Sequence, residues 1–137
     1  MEPALTLEGV VSFHAHIYYE VGRTRGTAEW LRERIAEAFP VQIGRWHDAL
    51  VGPHTASMYQ VAFDAPVFAQ FVPWLMLNRR GLDVLVHPNT LQPRRDHLVH
   101  ALWLGHVLPI RGEVLAERID ACEESPVVVN TRPDLGL

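Results

Sequence analysis

Histidine is the residue type that stands out as a source of chemistry in this sequence. The chain has eight histidines against 12 lysines and arginines together, although histidine is barely charged at neutral pH and adds little to solubility. His14 and His16 lie two residues apart, His54 follows a Gly-Pro turn, and His87 ends an apolar run. Imidazole suits Zn, Cu, Fe or Ni rather than Mg or Ca. The histidines therefore predict a transition-metal site, provided that the fold brings them together.

The elements that would position these histidines follow from the spacing of apolar residues. A period of two marks a strand and a period of 3.6 marks a helix. The pattern predicts strands at 10–19, 41–46, 57–64 and 82–87, and helices at 27–39, with Thr27 as N-cap, and at 66–80, with Pro73 bending or dividing the second. A further short helix is predicted at 96–104. Strand, helix, strand, strand, helix, strand is the ferredoxin-like βαββαβ order, an α+β fold with two helices on one face of an antiparallel sheet.

The first strand has two chemically different faces. Alternation places Phe13, Ala15, Ile17 and Tyr19 on one side of the sheet. The helices should cover that apolar side. The other side should be a binding surface, a dimer interface or both, and its predicted members are His14, His16, Tyr18, Met58, Gln60 and His87.

Topology should bring the histidines to one edge of the sheet. We expect the strand order 4-1-3-2, with the first and third strands parallel and the fourth antiparallel to the first. Strands about 4.8 Å apart allow side chains of this length to reach one ion at the roughly 2.1 Å bond length of an imidazole nitrogen. His97 could fold back over the site, and Asp96 would orient a ring nitrogen as a hydrogen-bond acceptor. No such support exists for His47, His100 or His106.

Composition excludes several other functions. The net charge is −4 and no basic block is present, so nucleic acid is not an expected partner. Cys122 is the single cysteine, which favours a reducing compartment. Neither a signal peptide nor an apolar stretch of about 20 residues is visible. We therefore expect a cytoplasmic protein of one domain, 1–137, with no membrane partner.

Several motifs resemble those of the DOPA 4,5-dioxygenase family. They are FHAHIYYE at 13–20, VGPH at 51–54, WLMLNRRGLDVLVHPNT at 74–90, DH at 96–97 and WLG at 103–105. The resemblance covers about residues 10–110 and keeps the motif order. The tail, 111–137, is outside it.

The resemblance implies extradiol cleavage of a catechol such as DOPA by non-haem Fe(II) and O₂, on a ferredoxin-like fold. Zinc or another divalent metal could replace iron in a purified sample. An Arg79 guanidinium would meet a substrate carboxylate if it reached the pocket. Carried over by motif, the metal ligands are His16, His54 and His87, the proton-transfer residue is His14 or His97, and the substrate-binding groups are Tyr18, Asn89 and Arg79.

Two other functions fit the same residues. A cofactor-independent enzyme of the dimeric α+β barrel type would use the histidines as acids and bases without a metal. A non-catalytic metal-binding module would use them to hold zinc. We also expect a homodimer, because an open sheet face carrying Tyr18, Met58 and Trp46 would otherwise expose an apolar patch.

Overall fold

Two helices pack against one face of a five-stranded antiparallel sheet in the computed structural model, which describes residues 1–120. This confirms the predicted α+β, ferredoxin-like architecture. Cys122 and the tail beyond residue 120 lie outside the described residues. The elements are β1 (Ser12–Tyr19), α1 (Arg25–Ala38), β2 (Gln42–Ile43), β3 (Ser57–Asp64), α2 (Ala65–Asn78), β4 (Val84–Pro88), α3 (Pro93–Leu98), β5 (Leu102–Leu104) and a 3₁₀ turn (Gly112–Val114).

The strand order is β2-β3-β1-β4-β5, and every neighbouring pair is antiparallel. The predicted order of the first four strands is confirmed, but the parallel orientation predicted for β1 and β3 is wrong. The crossover through α1 makes β1 and β2 parallel to one another, and β3 inserts between them in the opposite direction. The start of β3 therefore lies beside the end of β1, where Ser57 pairs with Tyr19.

The helix-facing side of the sheet forms the main core, as the alternation predicts. Ala15 and Ile17 are completely buried there with Leu31 of α1 and Leu75 of α2. The Tyr59 hydroxyl crosses from β3 to α1 and donates a hydrogen bond to the Ala28 carbonyl, so this buried polar group keeps a partner.

The two long helices differ from the prediction in the start of α1 and in the effect of Pro73 on α2. α1 begins at Arg25 rather than after Thr27, because Thr24 already occupies the N-cap position and its carbonyl accepts the Ala28 N–H at 3.0 Å. Pro73 lies inside α2 without dividing it.

Residues 96–104 do not form the predicted helix. α3 begins earlier, with Pro93 in its first turn, and ends at Leu98. Leu102–Leu104 instead forms β5 and pairs with Val84–Val86 of β4. A three-residue strand has little local signal of its own, because its conformation depends on pairing with a strand that is distant in sequence.

The chain itself covers part of the sheet face opposite the helices. Tyr18, Met58 and Leu85 are buried there beneath Trp103 of β5 and the following segment, which contributes Leu108 and Ile110. Trp46 packs on the other side, against the main core. The exposed apolar patch from which we expected a homodimer is therefore absent from the described residues, and dimerisation remains a prediction for sedimentation to test. Within residues 1–120, no helix has the length and apolar character needed to cross a membrane.

A substitution in the turn after β5 tests how much the packing of this segment on the sheet contributes to stability. Gly105 has a φ of +87°, and a Cβ there would displace the ends of the Asp83 and Arg79 side chains, including the Asp83 oxygen that accepts the His106 N–H at 2.7 Å. Gly9 has nearly the same φ, +85°, but open space around it. Gly105→Ala should lower the free energy of unfolding by about 2 kcal/mol or more, and Gly9→Ala by about 1 kcal/mol. Urea unfolding measures both, and equal losses would show that Gly105 is needed only for its backbone conformation.

Candidate metal centre

Three histidines project from adjacent strands on the sheet face opposite the two helices. His14 and His16 belong to β1, and His87 of β4 is the direct cross-strand partner of His14. The His87 ring centroid lies 5.1 Å from that of His14 and 5.1 Å from that of His16. Two paired strands therefore hold three imidazoles within reach of one another.

His54 reaches the same place from a loop. The His54 ring centroid lies 4.2 Å from that of His16. The loop is fixed to the segment after β5, because the Arg111 N–H donates to the Pro53 carbonyl at 2.8 Å and His54 forms an isolated bridge with Ile110. The predicted meeting of His54 with the strand histidines thus occurs, although by the loop folding back over the sheet rather than by parallel strands.

His97 completes the cluster from α3. Its ring centroid lies 3.9 Å from that of His87 and 5.9 Å from that of His16. Arg94 anchors the helix by donating to the carbonyls of Gly112 and Leu115. The sequence suggested only that His97 could fold back, and the structure places it directly against the strand histidines.

Asp96 does not orient a histidine, contrary to the interpretation from sequence. One of its carboxylate oxygens accepts the Thr90 N–H at 2.8 Å and the other accepts the Thr90 hydroxyl at 2.6 Å. Asp96 therefore fixes the connection between β4 and α3. The ring nitrogens instead use backbone carbonyls and a tyrosine hydroxyl.

Two groups of three histidines have ligand atoms within 4.8 Å of one another. One contains His14, His16 and His87, and the other contains His16, His54 and His97. His16 belongs to both. Among the described residues, the trio carried over by motif (His16, His54 and His87) does not form such a group.

Hydrogen bonds determine which ring nitrogens are available. Nδ1 of His87 lies 2.8 Å from the Pro88 carbonyl, and Nδ1 of His97 lies 2.7 Å from the Pro93 carbonyl. A carbonyl can only accept, so both Nδ1 atoms carry the proton. In the neutral rings Nε2 then carries the lone pair, which is the arrangement found when a carbonyl orients a metal-binding histidine.

His16 has a fully buried ring nitrogen without a hydrogen-bond partner. Its Nε2 lies 3.0 Å from Nε2 of His87, while its Nδ1 is buried without a hydrogen-bond partner. His87 Nε2 carries a lone pair, so the proton between the two rings is bonded to His16 Nε2. His16 Nδ1 therefore also carries a lone pair, and no donor lies within hydrogen-bond distance of it. Leaving a buried polar atom unpaired costs about 1–3 kcal/mol. Such a set of neutral nitrogen donors fits a transition metal.

The cluster is uncharged at neutral pH. Burial, and secondarily the other histidines, lower the pKa of His14 and of His54 to about 4. Burial also lowers the pKa of His97, and it holds the pKa values of His16 and His87 well below their usual range. Neutral imidazoles can bind a metal without first losing a proton.

The remaining predicted site residues are Tyr18, Asn89 and Arg79, and of these only Tyr18 bonds to a histidine of the cluster. The Tyr18 hydroxyl lies 2.8 Å from Nδ1 of His54. Asn89 directly follows β4, and its side-chain amide donates to the Ser12 hydroxyl at 3.0 Å. Arg79 precedes the opposite end of β4, where it donates to the Leu82 carbonyl at 3.0 Å. The structure thus brings Tyr18 to the histidines and keeps Arg79 away from them.

Sequence reasoning missed the segment that holds His54 in place. Trp103 stacks on Tyr18 with ring centroids 5.8 Å apart, and Thr55 donates to the Pro109 carbonyl at 2.6 Å. Leu102–Leu104 is an apolar run of three residues, which is too short to indicate β5 by itself. No local pattern indicated that residues 109–111 would pair with the loop of His54.

The low pKa values predict an acid-sensitive metal-free protein. An unfolded histidine has a pKa of 6.5, so between about pH 4 and 6.5 the unfolded chain binds more protons than the folded one. The contribution of the buried neutral histidines to the free energy of unfolding is therefore complete above about pH 6.5 and is lost as the pH falls toward 4. We expect chelator-treated protein to lose about 2 kcal/mol or more between pH 7 and pH 5 in urea unfolding.

A matched pair of variants tests the source of this loss. His54→Asn should reduce the pH dependence of the free energy of unfolding. His106→Asn should retain that dependence, because the His106 side chain is 85% exposed. Identical pH dependence in the parent and His54→Asn would show that burial of His54 does not contribute.

Comparison with known proteins agrees with the motifs that surround these histidines. The chain is 29% identical over 109 residues to a DOPA 4,5-dioxygenase from Amanita muscaria, covering 74% of this chain and 48% of that protein. It is 38% identical over 111 residues to an uncharacterized 21.2 kDa protein from Botryotinia fuckeliana, covering 72% and 60%. The chain thus spans about half to three-fifths of the length of these curated relatives.

A solved structure shows the same fold at higher identity. It is a Nostoc punctiforme protein described provisionally as a dioxygenase, with a TM-score of 0.79, 46% sequence identity, and coverage of 82% of this chain and 96% of that one. The sequence profile of the Dopa 4,5-dioxygenase family matches residues 13–114, a range that contains all five clustered histidines. The chain therefore belongs to the Dopa 4,5-dioxygenase family.

Proposed function

We propose that this protein is an Fe(II)-dependent extradiol dioxygenase that opens the ring of a catechol. The observation that carries the proposal is the cluster of five neutral imidazoles, in which a buried nitrogen of His16 has no hydrogen-bond partner. Membership of a dioxygenase family supports oxygen chemistry. A set of nitrogen donors supports a redox-active transition metal rather than Mg or Ca.

His14, His16 and His87 are the ligands that we assign to the iron. They lie on β1 and β4, which pair directly, and a site held by paired strands is more precise than one held by loops. The Pro88 carbonyl fixes the ring of His87. This assignment keeps two of the three ligands that the resemblance implies and exchanges His54 for His14.

Bound Fe(II) would supply open coordination positions for two catechol oxygens and O₂, together with the redox activity that Zn(II) lacks. One catechol and one O₂ give one ring-opened semialdehyde, with both oxygen atoms retained in the product. The protein must hold the ring in place and accept a proton from its hydroxyl groups.

His97 is the residue that we assign to proton transfer. Its Nδ1 proton is committed to the Pro93 carbonyl, which leaves Nε2 free to accept a catechol proton within the cluster. The ring centroid of His97 lies 3.9 Å from that of His87, so the proposed base is next to a proposed ligand. Proton transfer by a positioned side chain contributes about 10²–10⁴-fold to a rate.

Tyr18 and His54 form the wall of the site on its other side. The Tyr18 hydroxyl holds His54 by a 2.8 Å hydrogen bond, and burial raises the pKa of Tyr18 well above its usual value, so the hydroxyl stays protonated. Trp103, Leu108 and Ile110 pack behind this pair. An apolar wall keeps water from one side of the reacting ring and strengthens the polar interactions within the site.

Oxygen uptake is the experiment that tests the proposed function. Protein loaded with Fe(II) under anaerobic conditions should consume one O₂ per catechol when air is admitted and give the yellow ring-opened product. Zn(II)-loaded protein should bind catechol without turnover. Equal turnover in chelator-treated protein would contradict the proposal and favour the cofactor-independent alternative.

Single substitutions separate the ligands from the proton-transfer residue. His16→Ala and His87→Ala should lose most of their iron, whereas His97→Ala should keep one iron per chain and lose at least about 100-fold in kcat. His106→Ala is the control outside the cluster. Metal analysis and steady-state kinetics measure both effects, and full iron retention by His16→Ala would remove this residue from the ligand set.

A further inference from the structure

The hydrogen bond between Tyr18 and His54 has a definite direction. The Tyr18 hydroxyl oxygen and Nδ1 of His54 lie 2.8 Å apart. Tyr18 is buried, and among residues 1–120 its hydroxyl has no other hydrogen-bond partner. If His54 were the donor, the hydroxyl proton of Tyr18 would be left without an acceptor, and an unpaired buried donor is costly. Tyr18 therefore donates this bond, and Nδ1 of His54 accepts it.

This direction determines what the other nitrogen of His54 can do. A neutral imidazole carries one proton, and since Nδ1 accepts a hydrogen bond, that proton is on Nε2. Within the described part of the chain, the bond to Tyr18 is the one hydrogen bond of the His54 ring. Nε2 is not among the fully buried atoms that lack a partner, although His54 as a whole is buried. The Nε2–H group is therefore open to a bound molecule.

His97 offers the opposite polarity. Its Nδ1–H donates to the Pro93 carbonyl, so its Nε2 carries a lone pair, and this nitrogen is not among the fully buried unpaired atoms either. The ring centroids of His54 and His97 lie 6.2 Å apart, and one nitrogen of each ring lies within 4.8 Å of one of the other. One oxygen atom can bond to two nitrogens that are up to about 5.6 Å apart, twice an ordinary hydrogen-bond length. The group that accepts and donates through one oxygen is a hydroxyl.

We propose that His54 donates a hydrogen bond to a hydroxyl oxygen of the catechol, that His97 accepts the proton of the same hydroxyl, and that Tyr18 is a positioning residue that holds His54 in its donating form. The inference rests on the proposed function, which supplies the catechol. When the proton passes to His97, the O–H bond breaks, an N–H bond forms at Nε2, and the electron pair stays on the oxygen. The His54 N–H then bonds to a charged oxygen, which is the stronger kind of hydrogen bond.

NMR reads the proton positions on the rings without any turnover. Long-range correlation spectra of protein with ¹⁵N-labelled histidine, loaded with diamagnetic Zn(II), distinguish the two neutral forms of each ring, and the signals lost in His54→Ala identify His54. We expect the proton on Nε2 in His54 and on Nδ1 in His97, and a mixture of both forms for His54 in Tyr18→Phe. A proton on Nδ1 of His54 in the native protein, or a metal bound to its Nε2, would overturn the inference.

Two tyrosine substitutions test whether the Tyr18 hydroxyl matters for substrate binding. Tyr18→Phe keeps the ring that stacks on Trp103 but removes the donor to His54. Tyr59→Phe is the matched control, because it removes a buried hydroxyl that donates to the Ala28 carbonyl on the helix-facing side. Calorimetry with catechol and Zn(II)-loaded protein should give a dissociation constant about three- to tenfold higher in Tyr18→Phe and less than about twofold higher in Tyr59→Phe. Equal constants in the two variants would count against the role of Tyr18.

Removal of His54 separates positioning by Tyr18 from direct contact with the substrate. In a His54→Leu background, Tyr18→Phe should change the dissociation constant of catechol by less than about twofold, because Tyr18 acts through His54. The same three- to tenfold loss in both backgrounds would mean that Tyr18 contacts the substrate itself, and the inference would fail.

The failure of this inference and that of the proposed function give different results. If Fe(II)-loaded protein consumes O₂ with catechol but His54 carries its proton on Nδ1, the inference fails and the proposed function stands. If His54 carries its proton on Nε2 but Fe(II)-loaded protein neither binds nor converts catechol, the proposed function fails, and with it the assignment of the hydroxyl to a catechol.

Discussion

The site depends on the placement of five uncharged imidazoles close together, of which His16, His54 and His87 are buried and His14 and His97 are half-buried. Each ring must give up hydration, and the hydrogen bonds that compensate are few: carbonyls of Pro88 and Pro93 for two rings and the Tyr18 hydroxyl for a third. One nitrogen of His16 receives no compensation. Binding of a metal to these nitrogens would offset that cost and so stabilise the folded protein.

The rest of the structure serves to surround that centre from three directions. The sheet supplies His14, His16 and His87 in a fixed register. The loop of His54 and the helix of His97 contribute little rigidity alone, so both are fastened to the segment that follows β5, through Arg111 for the loop and through Arg94 for the helix. His54 and His97 are therefore positioned by the segment that follows β5.

This difference explains how much the sequence could predict. The alternation in β1 was enough to place His14, His16 and Tyr18 on the face away from the helices, because a strand fixes the direction of its side chains. The sequence could also suggest that His54 and His97 join them. It could not reveal the short strand β5 or the carbonyl partners of the rings, because these depend on contacts between distant segments. The grouping of the ligands required those contacts.

X-ray absorption at the iron K edge tests most directly whether the strand histidines hold a metal. Fe(II)-loaded protein should show one iron per chain with three imidazole ligands, and the same spectrum should persist in His54→Ala, since His54 belongs to the surrounding wall. Loss of an imidazole ligand in His54→Ala with an unchanged spectrum in His14→Ala would contradict the assignment and indicate that the metal is held by the other group, His16, His54 and His97.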